Sequence, residues 1–301
     1  MGAGTPAHGV LLLDKAPGIT STRALAMARR ALSATKGGHT GTLDPFATGL
    51  LPLVFGEATK FSRFLLDSTK AYEATLCLGQ ETETGDTEST PRLVSEDIPS
   101  SQQIEAVTRT FVGDISQMPP MHSAVHVDGK RLYEYAREGL TVERPIRQVH
   151  VSDLEILRIE SPALTIRVVC SKGTYIRVLA ADIGRQLGCG AYLTALRRTA
   201  VGSFRIEDAV TLEDLGAMGA SDARTRLLPV EALVAGLPRL DIEGDAETRF
   251  RQGQALRAAA AEGVLAVFGS SRGFLGVGEV QGEAVAPLRL MAEVAKSPDF
   301  A

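Results

Sequence analysis

Residues 149–170 read VHVSDLEILRIESPALTIRVVC. Val149–Arg158 and Ala163–Cys170 alternate side chains and are rich in β-branched residues, which predicts two paired strands. Ala71–Leu78 (AYEATLCL) alternates in the same way. Downstream, Thr174–Leu187 has the spacing of an amphipathic helix and stops at Gly188. Leu193–Arg198 then leads to a strand over Val201–Ile206, and Thr211–Leu215 starts a short helix. Upstream, Ser100–Phe111 predicts a helix with Ile104, Val107 and Phe111 in one stripe. Pro119-Pro120 breaks the chain before a short strand at Ala124–Val127, a turn at Gly129 and a helix at Leu132–Arg137.

The N-terminal part obeys the same grammar. Met1–His8 is a loose end, Gly9–Asp14 (GVLLLD) a buried strand, and Lys15-Ala16-Pro17-Gly18 a turn. Thr20-Ser21-Thr22 caps a helix from about Arg23 to Leu32. Lys36–Gly49 is a structured loop, Leu50–Phe55 an apolar run and Glu57–Leu66 helical. Strands and helices in this order, with several antiparallel pairs, predict an α+β fold. A boundary near Leu237-Pro238-Arg239 divides residues 1–236 from 237–301. The second part holds a short helix at Ala246–Gln252 and strands at Val264–Phe268, Gly273–Val280 and Ala284–Leu290, an all-β appendage with a small core of its own.

Composition narrows the function. The 301 residues are 44% hydrophobic and 23% charged, enough for a packed core. No apolar stretch approaches the ~20 residues of a membrane span. Val10–Leu13 is too short for a signal peptide, and three cysteines without Cys-x-x-Cys build neither a disulfide framework nor a zinc cluster. The expectation is a soluble cytoplasmic protein. Net charge is −4, but it is segregated: residues 1–64 carry +4, 65–118 carry −7, 119–206 carry +5 and 207–301 carry −6. Two basic segments folded onto one face can bind a polyanion, because screening makes local potential decisive.

The chemistry concentrates in GHTGTLDPFATG, residues 38–49. Pro45 stiffens the backbone and holds Asp44 extended, while Gly41 and Gly49 permit turns closed to other residues. A carboxylate on so stiff a loop suits a nucleophile or general base, or caps a turn. No Gly-Lys-Ser/Thr follows, so this is not a P-loop.

GHTGTLDPFATGLLP resembles the signature of the TruB family, bacterial synthases that convert uridine 55 of the tRNA TΨC loop to pseudouridine. The resemblance continues through GEATKFSRFLLDSTKAYEATLCLG, PPMHSAVHVDGKRLYEYAREG and CSKGTYIRVLAADIGRQLGCGAYLTALRRTAVGSF, and covers roughly Gly9–Phe204. It implies a pseudouridine-synthase-like mixed, largely antiparallel sheet flanked by helices. FLGVGEV and APLRLM in the tail resemble the small PUA-like RNA-binding domain of many members. The implied reaction breaks the uridine N1–C1′ bond, turns the base and joins C1′ to C5, with no ATP, metal or cofactor. The implied partner is the tRNA T-stem-loop, bound by a monomer.

The same resemblance assigns roles. Asp44 matches the catalytic aspartate, which either attacks the sugar or works through a glycal route and must be ionised at neutral pH. Arg177 matches the arginine that pairs with it and is expected to lower its pKa. Tyr72 matches the tyrosine that stacks on the flipped base, and Tyr175 and Leu196 match residues lining the base pocket. His39 matches the histidine that fills the gap left by the base, and Asp86 a position near the substrate. Lys15, Lys130, Arg131, Arg137, Lys172, Arg197 and Arg198 lie beside these motifs in net-positive segments and are the expected phosphate contacts.

His122 and His126 have metal-ligand spacing without a third ligand, and His126 stands where many relatives carry lysine. Two alternatives compete. One is a tRNA-binding chaperone of this fold without catalysis, which would have no need of Asp44, Tyr72 and Arg177. The other is an aspartate-based glycosidase, which needs two carboxylates where the Asp44 loop offers one.

Overall fold

The computed structural model describes residues 7–292 except 124, 128, 258, 259 and 272, together with all side chains between them but that of Tyr133. Residues 1–6 of the expected loose end and Ala124 of the expected strand lie outside this set.

The chain runs through β1 (Gly9–Lys15), α1 (Ser21–Ala31), β2 (Gly37–His39), β3 (Thr48–Phe55) and β4 (Lys70–Leu78). It continues through α2 (Ser101–Arg109), β5 (Gly113–Gln117), α3 (Leu132–Arg137), β6 (Arg147–Glu160) and β7 (Ala163–Cys170). Then follow α4 (Ile176–Leu187), β8 (Ala191–Val201), β9 (Phe204–Arg205) and β10 (Val210–Thr211). Local chemistry sets the helix ends. The Thr20 hydroxyl accepts from Arg23 N at the start of α1, Ser100 and Gln103 form a reciprocal capping box on α2, and Gly188 closes α4 in the left-handed conformation.

These strands form one mixed sheet in the order β10-β1-β3-β8-β4-β7-β6-β5, with β2 added to β3 and β9 to β8. The pair predicted from alternation exists, β6 with β7; β4 adds to β7 and β8 to β4, all antiparallel. Two contacts are parallel, β1 with β10 and β3 with β8. Alternation decides the faces. Tyr72, Ala74 and Leu76 of β4 and Leu164, Ile166 and Val168 of β7 point into a core with α1, α2 and α4. Their neighbours Glu73, Thr75 and Arg167 point away from it.

Two expectations need correction. Val201–Ile206 is not a separate strand, because β8 runs unbroken from Ala191 to Val201 and only Phe204–Arg205 fold back on it. The Lys36–Gly49 loop is shorter than expected, since its residues 37–39 form β2 on the edge of β3.

The C-terminal sheet comprises β11 (Arg239–Ile242), β12 (Leu256–Arg257), β13 (Gly263–Gly269), β14 (Gly273–Gln281) and β15 (Ala284–Leu290), in the order β11-β13-β14-β15-β12. This is the PUA-like part. Its own core holds Phe250, Leu265, Val267 and Leu275. Ala266, Phe274 and Val277 instead join Val10, Leu12, Leu50 and Phe61 in a shared core. There the Phe61 and Phe274 rings meet edge to face at 5.3 Å. No helix among the described residues is long and apolar enough to cross a membrane.

Candidate active site

The Asp44 loop joins β2 to β3 and is anchored along its length. Ser21 Oγ donates to Leu43 O (3.0 Å) and accepts from Leu43 N (2.9 Å). Gly18 N and Lys15 Nζ donate to Pro45 O at 2.8 and 3.2 Å. Thr40 N donates to Pro52 O at 3.2 Å. Arg198 donates to Leu50 O, Gly41 O and Thr42 O. Gly49 has φ +101°, and a Cβ there would collide with the Arg198 backbone where β3 and β8 run side by side. The backbone that carries Asp44 is therefore held from several sides.

Arg177 stands in the first turn of α4, with only 6% of its side chain exposed. Its Nε lies 3.0 Å from Asp44 Oδ2 and its Nη1 3.4 Å from Asp86 Oδ2. It also donates to Thr84 O (3.0 Å) and His122 O (2.9 Å). One guanidinium thus ties together the Asp44 loop, the 82–88 loop and the backbone at His122, a use of all sides of the fork that a lysine cannot copy. Burial pushes the Asp44 carboxyl above the ordinary carboxylate range. Arg177 opposes this, Asp86 adds to it and Lys15 opposes it more weakly. The expected lowering by Arg177 is therefore outweighed by desolvation.

Asp44 opens onto a cleft of about 710 Å³ that is also lined by His39, Tyr72, Tyr175, Leu196 and Arg177. Tyr72 and Leu196 are buried neighbours on β4 and β8, on the face alternation gives them. Burial pushes the Tyr72 phenol up in pKa, partly opposed by Arg198. Tyr175 is the cap residue of α4. Its backbone N donates to Gln117 Oε1 (2.9 Å) and its carbonyl accepts from Gln117 Nε2 (3.2 Å). His39 has a buried Nδ1 without a hydrogen-bond partner. Its pKa is lowered, first by burial and then by Arg198.

The basic residues divide. Lys172, Arg131 and Arg137 line the cleft. Lys172 pairs with Asp67 at 2.8 Å, and Lys130 lies beyond with Glu138 at 2.6 Å. Lys15 is corrected: it is 0% exposed, and its ammonium donates to Ala16 O, Ile19 O and Pro45 O, so it holds the loop and offers nothing to a phosphate. Burial brings its pKa down to about 8. Arg198 is buried in the same way. Arg197 points to the opposite sheet face, bidentate to Asp14 at 3.0 and 2.7 Å, because alternation separates it from Leu196 and Arg198.

Asp86 is also corrected. It is fully buried behind Arg177 and does not face the cleft; its Oδ1 accepts from Thr84 Oγ1 (2.6 Å) and Glu88 N (2.9 Å). It is a second carboxylate near Asp44, but one enclosed and committed to Arg177. A glycosidase acid open to substrate is not what it provides. Sequence reasoning missed Ser21, Gln117 and Lys70. Lys70 lines the cleft with its Nζ on Leu66 O (2.7 Å) and Ser68 O (2.6 Å), and burial lowers its pKa to about 8. Spacing carried no signal for any of the three.

The solved structure of a Cbf5–Nop10–Gar1 complex superposes with a TM-score of 0.73 at 30% identity, covering 94% of this chain and 85% of that one. An H/ACA RNP bound to a substrate RNA containing 2′-deoxyuridine gives 0.72 at 26% identity, covering 95% and 86%. Residues 29–176 match the TruB family pseudouridylate synthase N-terminal domain. Residues 177–235 match the tRNA pseudouridylate synthase B C-terminal domain, and 238–291 the TruB C-terminal domain of pseudouridine synthase II. The tRNA pseudouridine synthase B of Aromatoleum aromaticum is 51% identical over 289 residues, 95% of this chain and 94% of that protein. That of an Azoarcus species is 52% identical over 287 residues, 94% and 95%. The chain belongs to the TruB family of pseudouridylate synthases, which are isomerases.

Proposed function

We propose that this enzyme isomerises uridine 55 in the TΨC loop of tRNA, with Asp44 as the catalytic carboxylate. The observation that carries the reading is the Asp44–Arg177 pair at 3.0 Å in a cleft walled by Tyr72, Tyr175 and Leu196. A uridine inside a folded loop must leave its stack to reach Asp44, at a cost of a few kcal/mol. Tyr72 offers a ring face for the extruded base, and His39 a planar ring for the gap. Asp44 then acts on the sugar, either by attack at C1′ or by removing a sugar proton in a glycal route. The N1–C1′ bond breaks, the base turns, C5 bonds to C1′ and the C5 proton leaves. Arg177 holds the carboxylate in line and offsets part of the desolvation that opposes its ionisation.

Lys172, Lys130, Arg131 and Arg137 are assigned to RNA phosphates of the T-stem-loop, and binding weakens with salt accordingly. Residues 1–236 act as the catalytic unit and 237–301 as an RNA-binding unit whose acidic balance limits its grip. The reading includes a cytoplasmic monomer. The test incubates the protein with an unmodified tRNA transcript and maps pseudouridine by chemical labelling and primer extension. One new pseudouridine in the T-loop, absent with Asp44→Asn, is the expected outcome. Tight binding without pseudouridine would leave the chaperone reading.

A further inference from the structure

Among the described residues, Arg198 is a buried cation without a counter-ion. It is 1% exposed, and among the described residues no carboxylate lies within ion-pair distance of it. A buried charge is costly unless paired or richly hydrogen-bonded, and an apolar side chain would fill such a place more cheaply. On the same strand the buried positions Leu193 and Leu196 are filled by leucine.

The guanidinium spends its donors on one object. Nε donates to Leu50 O at 2.7 Å, Nη2 to Gly41 O at 3.2 Å and Nη1 to Thr42 O at 3.5 Å. Gly41 and Thr42 lie just ahead of Asp44, and Leu50 just beyond the loop. The same group reaches Tyr72 on the adjoining strand, where Arg198 and Tyr72 are direct cross-strand partners. It also lines the cleft and bears on His39. The close approach of Gly49 to the Arg198 backbone fixes where this fork emerges.

We propose that Arg198 is a positioning residue for the isomerisation: its fork holds the Asp44 loop in register with Tyr72, so that carboxylate and base platform meet the same nucleotide. Lysine cannot replace it, because its donors all leave one nitrogen, whereas Leu50 O, Thr42 O and Gly41 O are met by three separate nitrogens of the planar fork. The charge has a second effect, since it opposes protonation of His39 from within the cleft.

This inference rests on the isomerase reading, and wild-type protein that makes no pseudouridine fails that reading rather than this one. The test uses full-length protein and unmodified tRNA, with Arg198→Lys, Arg198→Met and Arg198→Ala. Single-turnover pseudouridine formation, RNA Kd and thermal unfolding are measured for each. Arg198→Lys is expected to fold and to lose about 10²-fold in rate, the scale of an ångström misplacement, with RNA Kd within about twofold of wild type. Methylguanidinium is expected to restore part of the rate of Arg198→Ala. The His39 ring titrates at higher pH in Arg198→Met, read by NMR of labelled histidine against His39→Gln. An undiminished rate in Arg198→Lys overturns the proposal. So does equal loss of rate and affinity, which would make Arg198 an RNA contact. If no variant folds, the residue is a structural clamp and the proposal fails.

Discussion

Replacing Arg177 with methionine removes the fork but keeps most of the side chain's volume. The perturbation strips Asp44 and Asp86 of their shared cation, and leaves Thr84 O and His122 O without a donor that now lies 3.0 and 2.9 Å away. Breaking a buried pair from one side costs about 3–5 kcal/mol, chiefly as the penalty of the charge left behind. For a chain of 301 residues that is a fall in Tm of about 5–10 °C at neutral pH. The protein has one escape, protonation. Asp44 is already raised by burial, and Arg177 is the strongest influence holding it down. In the variant its folded pKa rises further above the unfolded value. The folded state then binds more protons than the unfolded state, so stability falls as pH rises through this window and recovers on acidification. Differential scanning calorimetry of both proteins from pH 5 to pH 8 reads this directly. The Tm gap should be widest at pH 8 and narrow toward pH 5, and pseudouridine formation should drop to the level of Asp44→Asn. A gap below about 2 °C at neutral pH, or one that widens on acidification, would refute the reasoning.

Three further outcomes follow from the same geometry. In single-turnover assays the wild-type rate should fall on acidification at a pH above the ordinary carboxylate range, and Asp86→Asn should move that limb lower by removing the neighbouring charge that raises Asp44. Lys15→Met should leave the salt dependence of RNA binding unchanged, because Lys15 is enclosed by carbonyls, whereas Lys172→Met should reduce the log–log slope by about 1. Phe274→Ala should cost about 3–5 kcal/mol and lower the Tm of the whole chain in one transition, since the ring packs in the core shared with Phe61.

Regular alternation at Ala71–Leu78 and over 149–170 made the central antiparallel strands legible, because a half-buried strand must repeat every two residues. The same rule explains why Arg197 was misassigned. A basic residue beside a motif looks the same in sequence whether alternation sends it toward the cleft or the far face, and the face is known only once β8 is in register with β4. Lys15 and Arg198 defeated the charge argument for another reason: backbone carbonyls satisfy them, and carbonyls leave no mark in a sequence. The resemblance sets Asp86 near the substrate, yet the Arg177 guanidinium draws it under cover. Gln117 and Ser21 bind main-chain groups 58 and 22 residues away, contacts that no local pattern encodes. The rigidity of the Asp44 loop is written in Pro45, Gly41 and Gly49, but on residue type a turn cap competes with a catalytic carboxylate, and only the resemblance of the whole GHTGTLDPFATGLLP stretch separates them.

Tritium release from tRNA labelled at C5 of its uridines tests the central claim most directly, because isomerisation turns C5 into the glycosidic carbon and expels its hydrogen to water. Wild-type protein should release one equivalent of tritium per tRNA in a single turnover, and Asp44→Asn none, while both bind the RNA with similar affinity. Release by Asp44→Asn at the wild-type rate would contradict the assignment of the chemistry to this carboxylate.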